Sequence, residues 1–305
     1  MSRLGQTCLG AAAGLVIDRM VGEPPADAHP VAEFGKTMRR VEQALWSDRR
    51  LAGVAYAAVG VAIGAAGGRL MKSTATAVAV AAAGRELRQV AVRIGEAVAS
   101  GDLAVARAEL PALVGRDPAG LDESGIAAAV IESVAENCVD AVIAPAFWGA
   151  VAGAPGAAAY RAINTMDAMV GRRNERYSNF GWAAARLDDA ANYIPARIFA
   201  ALVVVLNQQR AGQIVDAVRQ DAPAHPSPNA GVAEAAVAAA LDRKLGGPLS
   251  YEGVAEERPF LGGGSRPESD DIEAAVRIAD RVEIAAVGLL VLSWLVDWLL
   301  DQGSD

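Results

Sequence analysis

Three groups of polar residues in this chain have the types and spacing to do chemistry. Glu132, Glu136 and Asp140 recur every four residues, so on a helix they line one face as an acidic stripe. No Lys or Arg lies between them, and together with Asp167 they are candidate oxygen ligands for Mg²⁺, a cation that often arrives with nucleotide phosphates. A solvated helix face is the other reading of the same stripe. The second group is the stretch 161–197, which carries Arg161, Asn164, Asp167, Arg172, Arg173, Asn174, Glu175, Arg176, Tyr177, Trp182, Arg186, Asp188, Asp189, Asn192 and Arg197. Every cation there is arginine, whose guanidinium fork binds phosphate or carboxylate through two hydrogen bonds, and the interleaved aromatic rings offer flat surfaces to a planar ligand. Structural pairing with Glu175, Asp188 and Asp189 is the alternative. The third group is the two histidines, His29 and His225, each followed by proline. Proline holds the preceding residue extended, so each ring is presented from a loop. His225, Ser227 and Asn229 lead into an expected helix from about 230 to 245, whose first N–H groups suit an anion. His29, with Asp18 and Glu23, is a second candidate contact.

The elements that must position these groups are helical. Leu51–Gly68 and Ala141–Tyr160 contain no charged residue, and Glu283–Trp298 has an uncharged run closed by Asp297 with Trp294 and Trp298 near its end. A bilayer core asks for about 20 mostly apolar residues, so these are the leading spans. Ile198–Gln209 and Ser73–Gly84 are shorter candidates. Gly60, Gly64, Gly67 and Gly68 suit close helix packing. Residues 85–100 and 103–114 read as amphipathic helices joined by a turn at Ser100-Gly101-Asp102, and a third helix starts near Asp122 or Ser124. The segment 246–269, rich in Gly and Pro, reads as a long loop, and no β-sheet pattern is evident. The expected fold is therefore all-α: a polytopic helical membrane protein with extramembrane helical segments and long polar loops, one unit over 1–305. Residues 85–140 are its extramembrane segment, and 161–197 and 221–282 its site-forming connections.

Composition removes several function classes. With 28 Lys+Arg against 36 Asp+Glu the net charge is −8, which gives no footing for nucleic acid, whose binding rests on neutralised phosphates. Cys8 and Cys138 lack the spacing of a zinc site or disulfide framework and read as buried residues. The N-terminal apolar run leads into Asp18-Arg19 without a small-residue cleavage site and is expected to be retained. Neither a Gly-x-x-x-x-Gly-Lys-[Ser/Thr] loop nor a Gly-x-Ser-x-Gly elbow occurs, so any ATP site is of another design.

Taken together, the motifs resemble the adenosylcobinamide-phosphate synthase family of cobalamin biosynthesis. The resemblance is carried in order by Asp18-Arg19-Met20-Val21-Gly22-Glu23-Pro24-Pro25, His29-Pro30-Val31, the stretch Glu132 to Asp140, Tyr160-Arg161-Ala162-Ile163-Asn164-Thr165-Met166-Asp167, Asn174-Glu175-Arg176-Tyr177, Gly181 to Asp189, Ile194-Pro195-Ala196-Arg197, His225 to Gly231 and Glu256-Glu257-Arg258-Pro259. Cys138 stands where Thr is expected, and Glu23 where Asp is commoner. The resemblance implies an integral membrane ligase, which joins a propionate carboxylate of adenosylcobyric acid to 1-aminopropan-2-ol or its O-phosphate and consumes ATP, with Mg²⁺ assisting. It places the chain as a multi-pass protein in the cell (inner) membrane, in contact with lipid, its site facing the cytoplasm; assembly as a homo-oligomer is compatible with it. On the chemistry, Glu132, Glu136, Asp140 and Asp167 would hold metal. Arg161, Arg172, Arg173, Arg176 and Arg186 would hold phosphate, and Glu175 or His225 would take the amine proton. A small-molecule or anion transporter and a non-catalytic membrane scaffold are the alternatives. A transporter, however, would carry its polar groups inside the spans, whereas here they cluster beside charge-free runs.

Overall fold

The computed structural model describes residues 2–25, 29–115, 117–172, 174–247, 249–251, 254–256 and 258–302. The chain is helical almost throughout and divides into two compact units. The first comprises Met1–Arg85, Asp140–Pro195 and Ala286–Asp305; the second comprises Glu86–Val139 and Ala196–Ala285.

In the first unit, α1 (Arg3–Val21) begins where the Ser2 hydroxyl accepts from the Gly5 N–H and stops at Gly22, whose φ of 81° is open to glycine at little cost. The helix α2 (Pro30–Leu45) has Pro30 at its first position, where the missing N–H costs nothing. α3 (Arg50–Met71) is followed by the short α4 (Thr74–Ala81), which Ser73 caps. The centre of this unit is α8 (Ala144–Val170), against which α1, α3 and α4 pack. Gly60, Gly64 and Gly68 of α3 each lie where a β-carbon would collide with α8, at Met166, Ala162 and Ala154; Gly67 has open space around it.

Among the described residues three helices are long and apolar enough to cross a membrane: α3, α9 (Trp182–Leu206) and α12 (Ser269–Gln302). The expected span over Leu51–Gly68 is thus matched, that over 283–298 falls inside α12, and that over 198–209 overlaps the last turns of α9, which ends at Leu206. The run 141–160 turns out differently. It lies mostly in α8, which bends at Gly153 (φ 67°, ψ −156°) just before Pro155 and buries most of its Ala and Gly against neighbouring helices. Ala-rich sequence is only weakly hydrophobic, so absence of charge alone does not separate a lipid-facing helix from a core one. The expected span at 73–84 is only the eight-residue α4.

In the second unit, α5 (Gly84–Ala99) continues from the first, and the turn at Gly101 (φ 78°) leads to α6 (Leu103–Glu109). The Asp122 carboxylate accepts from the Gly125 N–H to open α7 (Glu123–Cys138). α10 (Ala211–Gln220) packs on α11 (Ala230–Leu241). Downstream of α11 the loop expectation needs correcting. β1 (Leu245–Gly246) pairs antiparallel with β4 (Phe260–Leu261), and β2 (Leu249–Tyr251) with β3 (Val254–Glu256). Strands of two or three residues are too short to show alternation.

Candidate functional site

In the first unit, several candidate site residues between 140 and 192 form one hydrogen-bonded group. Between α7 and α8 the helix widens into a π turn, Val139–Ile143, a local feature frequent at functional sites. Asp140 stands in that turn. Its backbone carbonyl lies 3.1 Å from the Tyr160 hydroxyl, which is also 2.8 Å from Asn192 Oδ1. The Asn164 amide of α8 donates to Asp140 Oδ2 at 3.1 Å and to Asp188 Oδ1 at 3.4 Å, and the Asn192 amide of α9 donates to Asp188 Oδ2 at 3.0 Å. Arg161 completes the group by donating from Nη1 to Asn164 Oδ1 at 3.3 Å. One asparagine therefore stands between a guanidinium and two carboxylates. Arg161 Nε is buried and makes no hydrogen bond, and a buried donor without a partner calls for a specific explanation. Helical spacing is what assembles the group: Arg161 and Asn164 are three apart, Asp188 and Asn192 four apart, so each pair shares a helix face.

A second cluster holds the loop between α8 and α9. Arg176 Nη2 donates to Glu42 Oε1 of α2 at 3.0 Å, and the Tyr177 hydroxyl donates to the same oxygen at 2.8 Å. The Arg176 guanidinium lies over Trp46, 4.8 Å from the ring centre, while the Trp46 indole N–H donates to the Arg176 carbonyl. Glu42, largely buried, holds the Arg176 charge more firmly and raises its pKa. The Asn174 side chain accepts from the Tyr177 N–H, forming the turn of this loop. Arg172 and Glu175 are exposed there, and Arg173 lies outside the described residues. On α9, Arg186 pairs with Asp189 at 3.2 Å, and Trp182 carries Arg50 over its ring. Asp167 is partly buried on α8.

Other expected site residues have local duties. Asp18 is buried and accepts from the Arg85 N–H. His29 caps α2 by accepting from the Val31 N–H, and its Nε2 lies 3.4 Å from Glu23. In the second unit Glu132 is buried and accepts from the Gly246 N–H at 2.7 Å, and Glu136 is exposed on α7. His225 is buried: Nδ1 accepts from the Ser227 N–H, while Nε2 lies 3.4 Å from Arg258 and 3.8 Å from Glu234. The Ser227 hydroxyl accepts from the Asn229 and Ala230 N–H groups, and Asn229 accepts from Arg197. These groups order the turn before α11, which turns the N–H groups expected to receive an anion toward the chain's own hydroxyl.

Among the described residues no three His, Cys, Asp or Glu side chains gather so as to hold a metal ion. The chemistry of the donors fits Mg²⁺ in a narrower way. That ion is commonly held by one or two carboxylates with substrate phosphates and water completing its shell, and Asp140 and Asp188, tied to a single amide, are such a pair. Asp188 was expected among the substrate contacts, not among the ligands. Glu42 and the bridging part of Asn192 were missed, because a single Glu on an amphipathic helix gives no local sign of an arginine 134 residues away.

Residues 11–279 match the CobD/Cbib protein family. The chain belongs to it. The match covers every element of the two clusters, and it bears out the resemblance drawn from the motifs. Similar proteins include the cobalamin biosynthesis protein CobD of Mycobacterium tuberculosis (strain CDC 1551 / Oshkosh), 43% identical over 93% of this chain and 95% of that protein. Those of Chromobacterium violaceum, 42% identical over 88% of this chain and 90% of the relative, and Sinorhizobium fredii, 38% identical over 92% and 96%, carry the same description. No solved structure matches the chain.

Proposed function

We propose that this protein acts in cobalamin biosynthesis as a membrane amide ligase, joining adenosylcobyric acid to 1-aminopropan-2-ol or its O-phosphate at the expense of ATP. The observation that carries the reading is that Asp140, Arg161, Asn164 and Asp188, all from the motifs of the resemblance, form one hydrogen-bonded group with Asn192 in a chain of the CobD/Cbib protein family. The three candidate spans accord with an inner-membrane location, with the site on the cytoplasmic side where ATP is found.

A carboxylate resists amine attack until it gains a leaving group. In the proposed reaction a propionate oxygen attacks the γ-phosphorus of ATP, the bond to ADP breaks, and an acyl phosphate forms. The amine nitrogen then attacks the acyl carbon, phosphate departs with the C–O bond, and the nitrogen loses a proton. Arginine N–H groups fixed in place before reaction stabilise the charge that moves onto the phosphate, and the exposed Arg172 is the candidate. Arg176 positions the 171–181 loop through Glu42. The exposed Glu175 suits the proton acceptor better than the enclosed His225, since a base must reach the proton it takes. Mg²⁺ brought with ATP would be held by Asp140 and Asp188, where it would offset phosphate charge.

The test is detergent-purified protein with adenosylcobyric acid, ATP and Mg²⁺ and each amine, followed by mass for the amide and for ADP. Amide and ADP in equal amounts are expected, with Asp188→Asn lowering kcat about 100-fold. Absence of amide with both amines overturns the reading.

A further inference from the structure

The first unit contains a cavity of about 240 Å³ between α2, α3, α4 and α8. Its walls are mainly apolar, with Val31, Phe34 and Ile63 among them, yet two opposite charges enter the lining from different helices: Glu33 of α2 and Arg161 of α8. Arg161 is the cation of the Asn164 group, and it keeps an unpaired buried Nε. Glu33, itself exposed at the mouth of the cavity, pairs with the exposed Lys36 one turn along its own helix, with Arg40 also acting on its charge, and water screens these interactions. Two hydroxyls also line the cavity. Thr37 donates to the Glu33 carbonyl and Thr165 to the Arg161 carbonyl, each within its own helix, so toward a ligand both oxygens act as acceptors.

From these features we infer that the cavity binds a short aliphatic zwitterion, its anionic group on Arg161 and its ammonium on Glu33 with the threonine oxygens. Drug-sized ligands occupy cavities of roughly 300–1,000 Å³, so neither a corrin nor a whole nucleotide fits within this one. On the ligase reading, on which the assignment of the ligand rests, the zwitterion is the amine acceptor carrying phosphate, and the cavity is its subsite beside the Asp140–Asp188 pair.

Two variants test this in the full-length protein in detergent. Arg161→Gln removes the cation, and Val80→Phe fills the cavity from α4; melting temperatures establish that both fold. With the wild type, 1-aminopropan-2-ol O-phosphate binds by calorimetry and inorganic phosphate competes weakly. Arg161→Gln is expected to raise KM for the phosphorylated amine about tenfold, equivalent to about 1.4 kcal/mol. KM for ATP and for adenosylcobyric acid should stay within about twofold, and the unphosphorylated amine should be affected much less. Val80→Phe should weaken both amines. If the wild type forms amide and the variants leave both amine KM values unchanged, the cavity assignment falls and the ligase reading stands. If the wild type forms no amide but binds the zwitterion in a way Val80→Phe abolishes, the reverse holds. A phospholipid that copurifies with the wild type and is lost from Val80→Phe would make this a lipid site and overturn the proposal.

Discussion

Asn164 is the residue on which the candidate site turns, because its amide satisfies two carboxylates while its oxygen holds Arg161. Leucine is close to it in volume but leaves those groups partly unsatisfied, and a buried polar group that loses its partner costs about 1–3 kcal/mol. Asn164→Leu is therefore expected to lower the melting temperature in detergent by several degrees and to abolish amide formation. Asn164→Asp should be worse still, since it sets a third carboxylate between two others; a melting temperature equal to the wild type would refute the bridging role. The cysteines give a second check at this scale. Burial pushes the Cys138 thiol up to about 12, with Glu283 adding to the effect, and burial together with Asp297 raises Cys8. At pH 8 neither should react with an aromatic disulfide reagent until the protein is denatured, when both do. The Cys138 pKa is raised on folding, so its contribution to stability is whole below about pH 9 and is lost as pH climbs toward 12. Cys138→Ala should flatten the fall of stability in that window.

Among the elements, the α3–α8 contact rests on Gly60, Gly64 and Gly68, a spacing of four that brings two backbones together. Gly64→Val or Gly68→Val forces α8 away and is expected to cost several kcal/mol, on the order of other overpacked contacts. Gly67→Ala, one step around the helix, should be neutral or slightly stabilising, because it adds helix propensity where nothing stands within 4 Å. Thermal unfolding of the three variants side by side decides this. The stripe of small residues was legible in the sequence, as were the caps at Asp122 and the turn at Gly101, because each depends on neighbours a few residues away. The bend of α8 was not, since the charge-free run 141–160 has the same composition whether lipid or protein surrounds it. The short strands after α11 left no alternation to read. In the site, the same-helix pairs Arg161/Asn164 and Asp188/Asn192 could be read from spacing. Glu42's grip on Arg176 and Glu132's acceptance from Gly246 depend on chain distances that no local pattern encodes.

For the molecule as a whole, the distribution of exposed apolar residues bears on where it resides. On α12, Leu289, Leu292, Val296 and Leu299 are each about half exposed, and Leu51 and Val54 open α3 in the same way. In water such a continuous apolar face would aggregate or be covered; in a bilayer it is the ordinary surface of a span. Near the end of the α12 apolar run, Asp297 accepts from the Ser2 N–H at the start of α1, which keeps a charge satisfied near the level where the helix meets water. A charge placed at the middle of that face instead costs about 2.5–3.5 kcal/mol on insertion. Leu292→Arg should therefore shift the protein from the carbonate-resistant membrane fraction toward aggregates, while Leu292→Phe should not. Equal membrane retention of both variants would show that α12 covers its apolar face with protein, and the location proposed for the ligase would then have to rest on α3 and α9 alone.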